Sequence, residues 1–493
     1  MDFALTIDTS GDLPLQQQLY EELRQAILER RLLAGQKMPA TRELAKSLAI
    51  SRTTVVLTYD ALTSEGYLEA TTGSGTYVAR QLPDEFLRSQ AAGANHEKKV
   101  EVRRRACTQR LSKFGRYLHD NELVGPAHEP EINFALGRPD NDEFPIRQWT
   151  QLLNKHCKNR KFSELELPKK SQGYLPLRRA IADYLARARA VNVEPERIII
   201  VNGSQQAVDL VTRVLVEHGD HVGLENPCWF GAQTIFESQG AKIHPISVDA
   251  NGLNVEELRG KRVPDLKLVY VTPSHQFPTG VVMSLPRRLE LLDWAEKTDS
   301  YLIEDDYDSE YRYEGRPIPA LSGLDKSESV IYIGTFSKTL FVSLRLGYLI
   351  VPPHLVQTFA HAKWMTDRHS PLLEQQVLAD FISEGHFERH IRRMRNIYEQ
   401  RRRFAIDALG KHFGDRFEVS GDNAGIHMLV KFKTKLPDDE IVRRAQKEGV
   451  LILRTSRIPN IDTAEFIICY GSLPEAKIEL GISRLSAAIG RRS

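Results

Sequence analysis

The side chains able to do chemistry in this sequence gather behind short apolar runs. After SVIYI come Thr335, Ser337 and Lys338 of GTFSKTL, and seven residues beyond Lys338 stands Arg345. After RIIIV comes NGSQQAVDLV, a turn at Gly203 opening a helix, where free backbone N–H groups and the helix dipole favour a phosphate. YLIEDDYDSEY carries Asp305 and Tyr307, and ENPCWFGA carries Trp229. Ligands of open α/β sheets collect beyond the carboxyl ends of the strands, so these residues meet if the apolar runs are strands of one sheet. A lysine amine, a phosphate cradle with an arginine and a strand-end carboxylate are together what pyridoxal phosphate requires. The lysine forms a Schiff base with its aldehyde, and the aspartate pairs with the pyridinium nitrogen. Tyr307 is placed to hold the phenolic oxygen of the ring, and Trp229 to stack on its face. Singly, each has an ordinary explanation: a solvated lysine, a cap, a turn aspartate, a core tryptophan.

The elements that must position these residues alternate as an α/β domain does. From Ile132 onward RIIIV, KLVYV, YLIED, SVIYI and LGYLIV are separated by helical segments, which predicts a largely parallel central sheet. From about residue 391 helix-rich sequence with a few strands predicts a smaller α+β subdomain. At 493 residues the chain exceeds what one core supports, and 27% charge with 41% hydrophobic residues is the balance of a folded protein. No apolar run approaches the roughly 20 residues of a membrane helix, and MDFALTIDTSGD lacks the basic flank of a signal peptide. A cytoplasmic location is expected. Four scattered cysteines (Cys107, Cys157, Cys228, Cys469) show no paired metal spacing, so no metal site is expected.

The first eighty residues read differently. An amphipathic helix over 14–32 precedes TRELAKSLAI and SRTTVVLTYDALTSEG, two helices joined by a tight turn, the second opened by Ser51 and closed by Gly66. YLEATTGSGTYVA then turns as a two-stranded hairpin. A helix-turn-helix places the start of its second helix against base edges, here Ser51, Arg52, Thr53 and Thr54, with Arg52 suited to guanine. Thr41, Arg42 and the hairpin tip near Gly75 are placed for phosphate or the minor groove. This segment holds eight Lys and Arg against ten Asp and Glu, a net of −2. Binding must then depend on local placement of Arg42, Lys46 and Arg52 and on two half-sites read by a dimer. The mixed-charge stretch 81–130, with KKVEVRRR, is expected to be a linker.

The segments NGSQQA, TPSHQFPTG, IEDDYDSEY and GTFSKTLFVSLRLGY resemble the motifs of the fold-type-I aminotransferase domain, and LPLQQQLYEELRQAILERR through GSGTYV is similar to the GntR winged helix. Together they resemble the MocR subfamily of GntR regulators, in which the two are fused. The resemblance implies a multidomain fold: winged helix at 1–80, linker at 81–130, and a fold-type-I transferase-like domain at 131–493 with its small subdomain at roughly 391–493. It further implies Lys338 as the Schiff-base lysine, Asp305 on the pyridine nitrogen and Tyr307 on the ring hydroxyl. Gly203, Ser204, Gln205, Thr335, Ser337 and Arg345 surround the phosphate, and Trp229 stands where a stacking tyrosine is usual.

Two departures bear on activity. Working aminotransferases carry Asn before PTG, where this chain has Phe277, and a C-terminal arginine for the substrate carboxylate, absent from EFIICYGSLPEAKIELGI. Arg454 or Arg457, just upstream, are the substitutes on offer. The member that senses γ-aminobutyrate has an arginine where this chain has Gly231, which argues against that effector. The expected function is a homodimeric, pyridoxal-phosphate-dependent transcriptional regulator, its effector either the cofactor itself or an amino compound. The alternatives are an active aminotransferase with an accessory DNA-binding domain, and a purely structural DNA-binding protein with a degenerate pocket.

Overall fold

Leu19, Leu23, Ala26 and Ile27 repeat at helical spacing along LQQQLYEELRQAIL and are all buried, which makes α1 (Leu15–Leu28) the spine of the N-terminal domain. A computed structural model describes residues 7, 13–71, 74–82, 110–120, 130–135, 137–158, 170–260, 265–313, 318–455 and 463–490. The chain divides into two compact units, Met1–Leu111 and Ser112–Ser493. KKVEVRRR and Arg457 lie outside the described residues.

In the first unit α2 (Thr41–Ser47) and α3 (Arg52–Ser64) follow α1 and close a core with Leu44, Val55, Tyr59 and Leu62. Ser51 caps α3: its hydroxyl accepts from the Thr54 amide at 3.1 Å, satisfying one of the N–H groups a helix start leaves open. Strands β1 (Leu68–Thr71) and β2 (Gly75–Val78) pair antiparallel from Leu68↔Val78 to Thr71↔Gly75, forming the expected wing. Lys37 bridges to Tyr77 and adds a short third edge.

The second unit opens with α4 (Lys113–Asp120), β3 (Ile132–Asn133), α5 (Ile146–Lys158) and α6 (Leu175–Arg189). Then come β4 (Ile198–Val201), α7 (Ser204–Leu215), β5 (His221–Asn226), α8 (Phe230–Ser238), β6 (Lys242–Asp249), β7 (Gly252–Leu253), β8 (Leu268–Val271), α9 (Leu285–Thr298), β9 (Tyr301–Asp306), β10 (Val330–Thr335) and β11 (Gly347–Ile350). Helices α10 (Val356–Asp367), α11 (Leu372–Ser383) and the 28-residue α12 (His386–Phe413) lead to a smaller layer. That layer holds β12 (Phe417–Ser420), β13 (His427–Lys433), α13 (Asp438–Lys447), β14 (Val450–Leu451), β15 (Leu453–Arg454), β16 (Thr463–Cys469) and α14 (Glu475–Ile489).

The large sheet runs β4-β11-β10-β9-β8-β5-β6-β7. Strands β4, β8, β10 and β11 are buried at every position because helices cover both faces: Ile199 and Val201 pack with α7 on one side, Ile198 and Ile200 with α6 on the other. The run LGYLIV departs from the parallel expectation, since β11 lies antiparallel to both β10 and β4. The chain between β10 and β11 contains no crossover helix, and a return that short can only reverse direction. A four-stranded antiparallel sheet, β12-β13-β16-β15, forms the small subdomain. β3 pairs with β14, so the start of the transferase-like unit is built into its C-terminal part.

Replacing Ser51 by Ala removes the α3 cap, at a cost of about 1 kcal/mol. Amide hydrogen exchange in the first turns of α3 is expected to quicken roughly fivefold, with α6 and α7 unchanged.

Candidate functional site

The antiparallel return is what assembles the site. Thr335 pairs with Gly347, and Gly347 with Val201, so the chain from Thr335 to Gly347 arches beside the Gly203 turn that starts α7. Gly203 has φ +89°, and a Cβ there would stand 3.1–3.4 Å from the Arg345 guanidinium. Arg345, itself left-handed at φ 51°, donates from Nη2 to the Asn202 carbonyl at 2.7 Å. Ser204 and Gln205 are the first two residues of α7, partly and fully exposed. Thr335 is buried, and its hydroxyl accepts from the Ser337 amide at 3.2 Å. Backbone N–H groups, two hydroxyls and a guanidinium thus surround a space that any side chain at position 203 would fill, which fits a phosphate.

Lys338 Nζ donates to the Gly137 carbonyl at 2.6 Å. Burial pushes its ammonium down from the ordinary lysine range, against the pull of Asp308 and Asp305. A deprotonated amine is the form that attacks a carbonyl. Asp305, at the end of β9, accepts from the Tyr270 hydroxyl at 2.7 Å through Oδ2, while its buried Oδ1 has no partner. Burial raises the Asp305 carboxyl to about 7. An orphaned carboxylate oxygen of that kind is satisfied by a cationic ring nitrogen. The donor set therefore fits pyridoxal phosphate.

Tyr307 brings a partner that spacing does not reveal. Its hydroxyl lies 3.2 Å from His275 Nδ1, which lies 3.0 Å from Asp308, while His275 Nε2 lies 3.2 Å from the Gly421 carbonyl. Both ring nitrogens face acceptors, so His275 holds two protons. Burial opposes that charge, and Asp308 outweighs burial, raising the imidazole above its usual value. His427 packs on His275 with ring centroids 4.6 Å apart, and burial with His275 and Lys338 nearby holds it well below its usual value, hence neutral. Phe277 sits in place of an amide donor, its ring 6.2 Å from that of Tyr307 and 5.4 Å from that of His427. Cys469, raised to about 12 by burial, is a neutral thiol near Lys338. His275, Asp308, Tyr270 and Gly137 are absent from the sequence-derived set. TPSHQ and DYDSE carry the first two, in the turns that follow β8 and β9, and their position just beyond strand ends is the signal that marks them.

Trp229 precedes α8 and packs partly buried against the core under the sheet. Its indole covers Gly231, where a Cβ would come within 2.4 Å of the ring. The tryptophan itself thus leaves no room for an arginine at 231. Arg454, offered for an effector carboxylate, pairs with Asp439 at the start of α13. Arg138 is close enough to Lys338 to press on its amine and is the arginine that sequence reasoning missed.

On the winged helix Arg42 and Arg52 are exposed and make no ion pair among the described residues, as free cations for phosphate or base contact must be. Thr41 starts α2 and Thr53 is exposed on α3. Thr54 is half-buried, its hydroxyl 3.0 Å from that of Ser51, so both hydroxyls are engaged in the cap. Gly75, at φ +117°, begins β2 and lies against the Lys37 side chain, a wing cation outside the sequence-derived set. No helix among the described residues is long and apolar enough to cross a membrane.

Comparison with known proteins agrees with both halves. The family described as aminotransferase class I and II matches residues 129–485, and that described as bacterial regulatory proteins, gntR family, matches 15–78. The chain is 40% identical over 455 residues to the probable rhizopine catabolism regulatory protein MocR of Rhizobium meliloti, covering 92% of this chain and 89% of that protein. It is 28% identical over 490 residues to the HTH-type pyridoxine biosynthesis transcriptional regulator PdxR of Corynebacterium glutamicum, covering 99% of each. The crystal structure of Pyrococcus horikoshii kynurenine aminotransferase in complex with PMP, at 26% identity, superposes with a TM-score of 0.67 over 83% of this chain and 97% of that one.

Asp305 carries a stability prediction for the cofactor-free protein. The unfolded carboxyl ionises near 3.8 and the folded one near 7, so the native state holds the extra proton between these values and stability falls as pH rises through them. Asp305→Asn removes that loss. Its gain in unfolding free energy over wild type is expected to be about 2 kcal/mol larger at pH 8 than at pH 5, read from urea unfolding at the two values.

Proposed function

The chain belongs to the aminotransferase class I and II family, in the form fused to a gntR-type winged helix, and we propose that it is a transcriptional regulator that binds operator DNA and pyridoxal phosphate. The observation that carries this reading is the meeting of Lys338, whose ammonium burial pushes down from the ordinary lysine range, an orphaned Asp305 oxygen and the Gly203–Arg345 cradle in one chain with the exposed arginines of α2 and α3.

When bound, the cofactor supplies an aldehyde that captures primary amines and a ring that withdraws electrons. The side chains have separate tasks. Lys338 Nζ, held on the Gly137 carbonyl, is the capturing amine. Asp305 ionises when a cation meets Oδ1. Arg345, the first amides of α7 and the hydroxyls of Ser204, Thr335 and Ser337 hold the phosphate, with Gln205 at its edge. His275 turns its Nδ1 proton toward Asp308 and the Tyr307 oxygen, which leaves the Tyr307 proton free to donate to the phenolic oxygen of the ring. Trp229 closes one face of the ring. Arg138, which lies near Lys338, joins Arg454 as a candidate for an effector carboxylate.

The signal is either the cofactor, captured by Lys338, or an amino compound that displaces Lys338 from it. PdxR, similar along nearly the whole chain, favours the first. Phe277 in place of an amide favours signalling over turnover. A winged helix of net charge −2 needs two half-sites, so the working unit is a homodimer.

The test is the affinity of cofactor-free protein for DNA from upstream of its own gene, at fixed salt, with and without pyridoxal phosphate, beside Lys338→Ala. A shift of at least fivefold in wild type and none in the variant is expected. Equal affinities in wild type would exclude the cofactor as the signal, and sustained turnover of an amino donor with a keto acceptor would replace the regulator by an enzyme. At the other end, Arg52→Ala should cost 10- to 100-fold on the best operator and relax the preference at one base pair, whereas Arg42→Ala should weaken all sequences alike and lower the salt slope by about one. Binding-site selection at two salt concentrations checks both.

A further inference from the structure

Behind the cofactor site lies a second cavity of about 500 Å³, large enough for a small metabolite. The two share a wall one backbone thick. On β9 Asp305 faces Tyr270 in the cofactor site, while its neighbour Asp306 turns the other way and holds Arg189, which lines the cavity, at 2.7 Å. The alternation repeats along the wall. Ser274 lines the cavity and His275 faces Tyr307; Ser309 and Glu310 line it and Asp308 faces His275; Ala424 lines it and Gly425 abuts His275.

The lining is unusual in charge. Six arginines (Arg187, Arg189, Arg288, Arg312, Arg392 and Arg395) stand against two carboxylates, Glu310 and Glu388. Three of the six are accounted for: Arg187 pairs with Glu388 at 2.8 Å, Arg189 with Asp306, and the buried Arg288 has Glu304 at 3.8 Å. Arg395 donates only to the Glu310 backbone carbonyl, and neither Arg312 nor Arg392 has a carboxylate partner among the described residues. Arg312 also buries an Nε that meets no acceptor. Burial, and then the neighbouring Arg189, press its guanidinium below the ordinary arginine value. Glu310 does little to offset them, since burial and Asp306 raise it to about 7. A guanidinium remains charged under these conditions, so among the described residues the cavity lining carries an excess of positive charge.

We propose that this cavity is a second ligand site, for a small molecule bearing two or more carboxylate or phosphate groups, held by Arg312, Arg392 and Arg395. A ligand there would press on the same backbone that carries Asp305, His275 and Asp308, and so would alter how the cofactor is held. That coupling rests on the cofactor reading; the site itself does not.

Isothermal titration of the full chain loaded with pyridoxal phosphate, at constant ionic strength, separates the cases, with pyrophosphate and citrate as the phosphate and carboxylate probes. Wild type is expected to bind one of them at one equivalent, and Arg312→Gln/Arg392→Gln to bind it at least tenfold more weakly. Arg392→Gln alone, at an exposed position that the fold does not need, should weaken it at least threefold. Arg213→Gln, at an exposed arginine of α7 outside the cavity lining, should stay within twofold of wild type. Saturation should also shift the absorbance of the bound cofactor in wild type. No binding of either probe at millimolar concentration, or equal binding by wild type and the arginine variants, would overturn the site. Binding without an absorbance shift keeps the site and overturns the coupling. A protein that takes up no pyridoxal phosphate yet binds the probe through these arginines retires the cofactor reading alone.

Discussion

The transferase-like domain depends on one reversal of direction. Because β11 returns antiparallel between β10 and β4, the loop that leaves Thr335 with Lys338 must come back past Gly203 with Arg345. A parallel β11 would have needed a crossover helix and would have carried Arg345 to the other end of the sheet. Gly203 completes the arrangement, since its left-handed backbone and missing Cβ let the arginine lie against the start of α7. Lysine, phosphate cradle and strand-end carboxylate are thus products of sheet topology.

Around that geometry the domain tolerates buried charge. Asp305 keeps an oxygen without a partner, burial pushes the Lys338 ammonium down, and His275 lies 3.0 Å from Asp308 with His427 and Gly425 packed against it. Each would be costly in an apolar core without a purpose. Their costs are lowered by meeting: Asp305 and Asp308 both act on Lys338, and Asp308 holds the imidazolium that stands against Tyr307. The charges on the other side of the same wall follow a similar rule, but with arginines in excess.

Much of this was legible in order along the chain. The capping serine of α3, the wing, the strand-end positions of Asp305 and Lys338 and the glycine turn before α7 follow from local periodicity and turn chemistry, and each element stands where its segment predicted. Thr54, expected at a base edge, also closes the cap that Ser51 begins, a contact its residue type alone does not show. Arg454, which the sequence offered only as an upstream substitute for the missing C-terminal arginine, pairs with Asp439, a contact set by how β15 and α13 come together. His275 and Asp308 escaped notice because they are 33 residues apart and meet only when the ends of β8 and β9 lie side by side.

The sequence by itself determined the two-unit plan and the residues that begin each helix and end each strand, since those depend on backbone dihedrals, apolar period and residue type within a few positions. Only the tertiary structure decided the direction of β11, the meeting of His275 with Asp308, the closing of Gly231 by Trp229 and the arginines behind Asp305 that have no carboxylate partner among the described residues. All of these arise from contacts between segments distant along the chain, where burial and neighbouring charge, rather than local preference, fix the outcome.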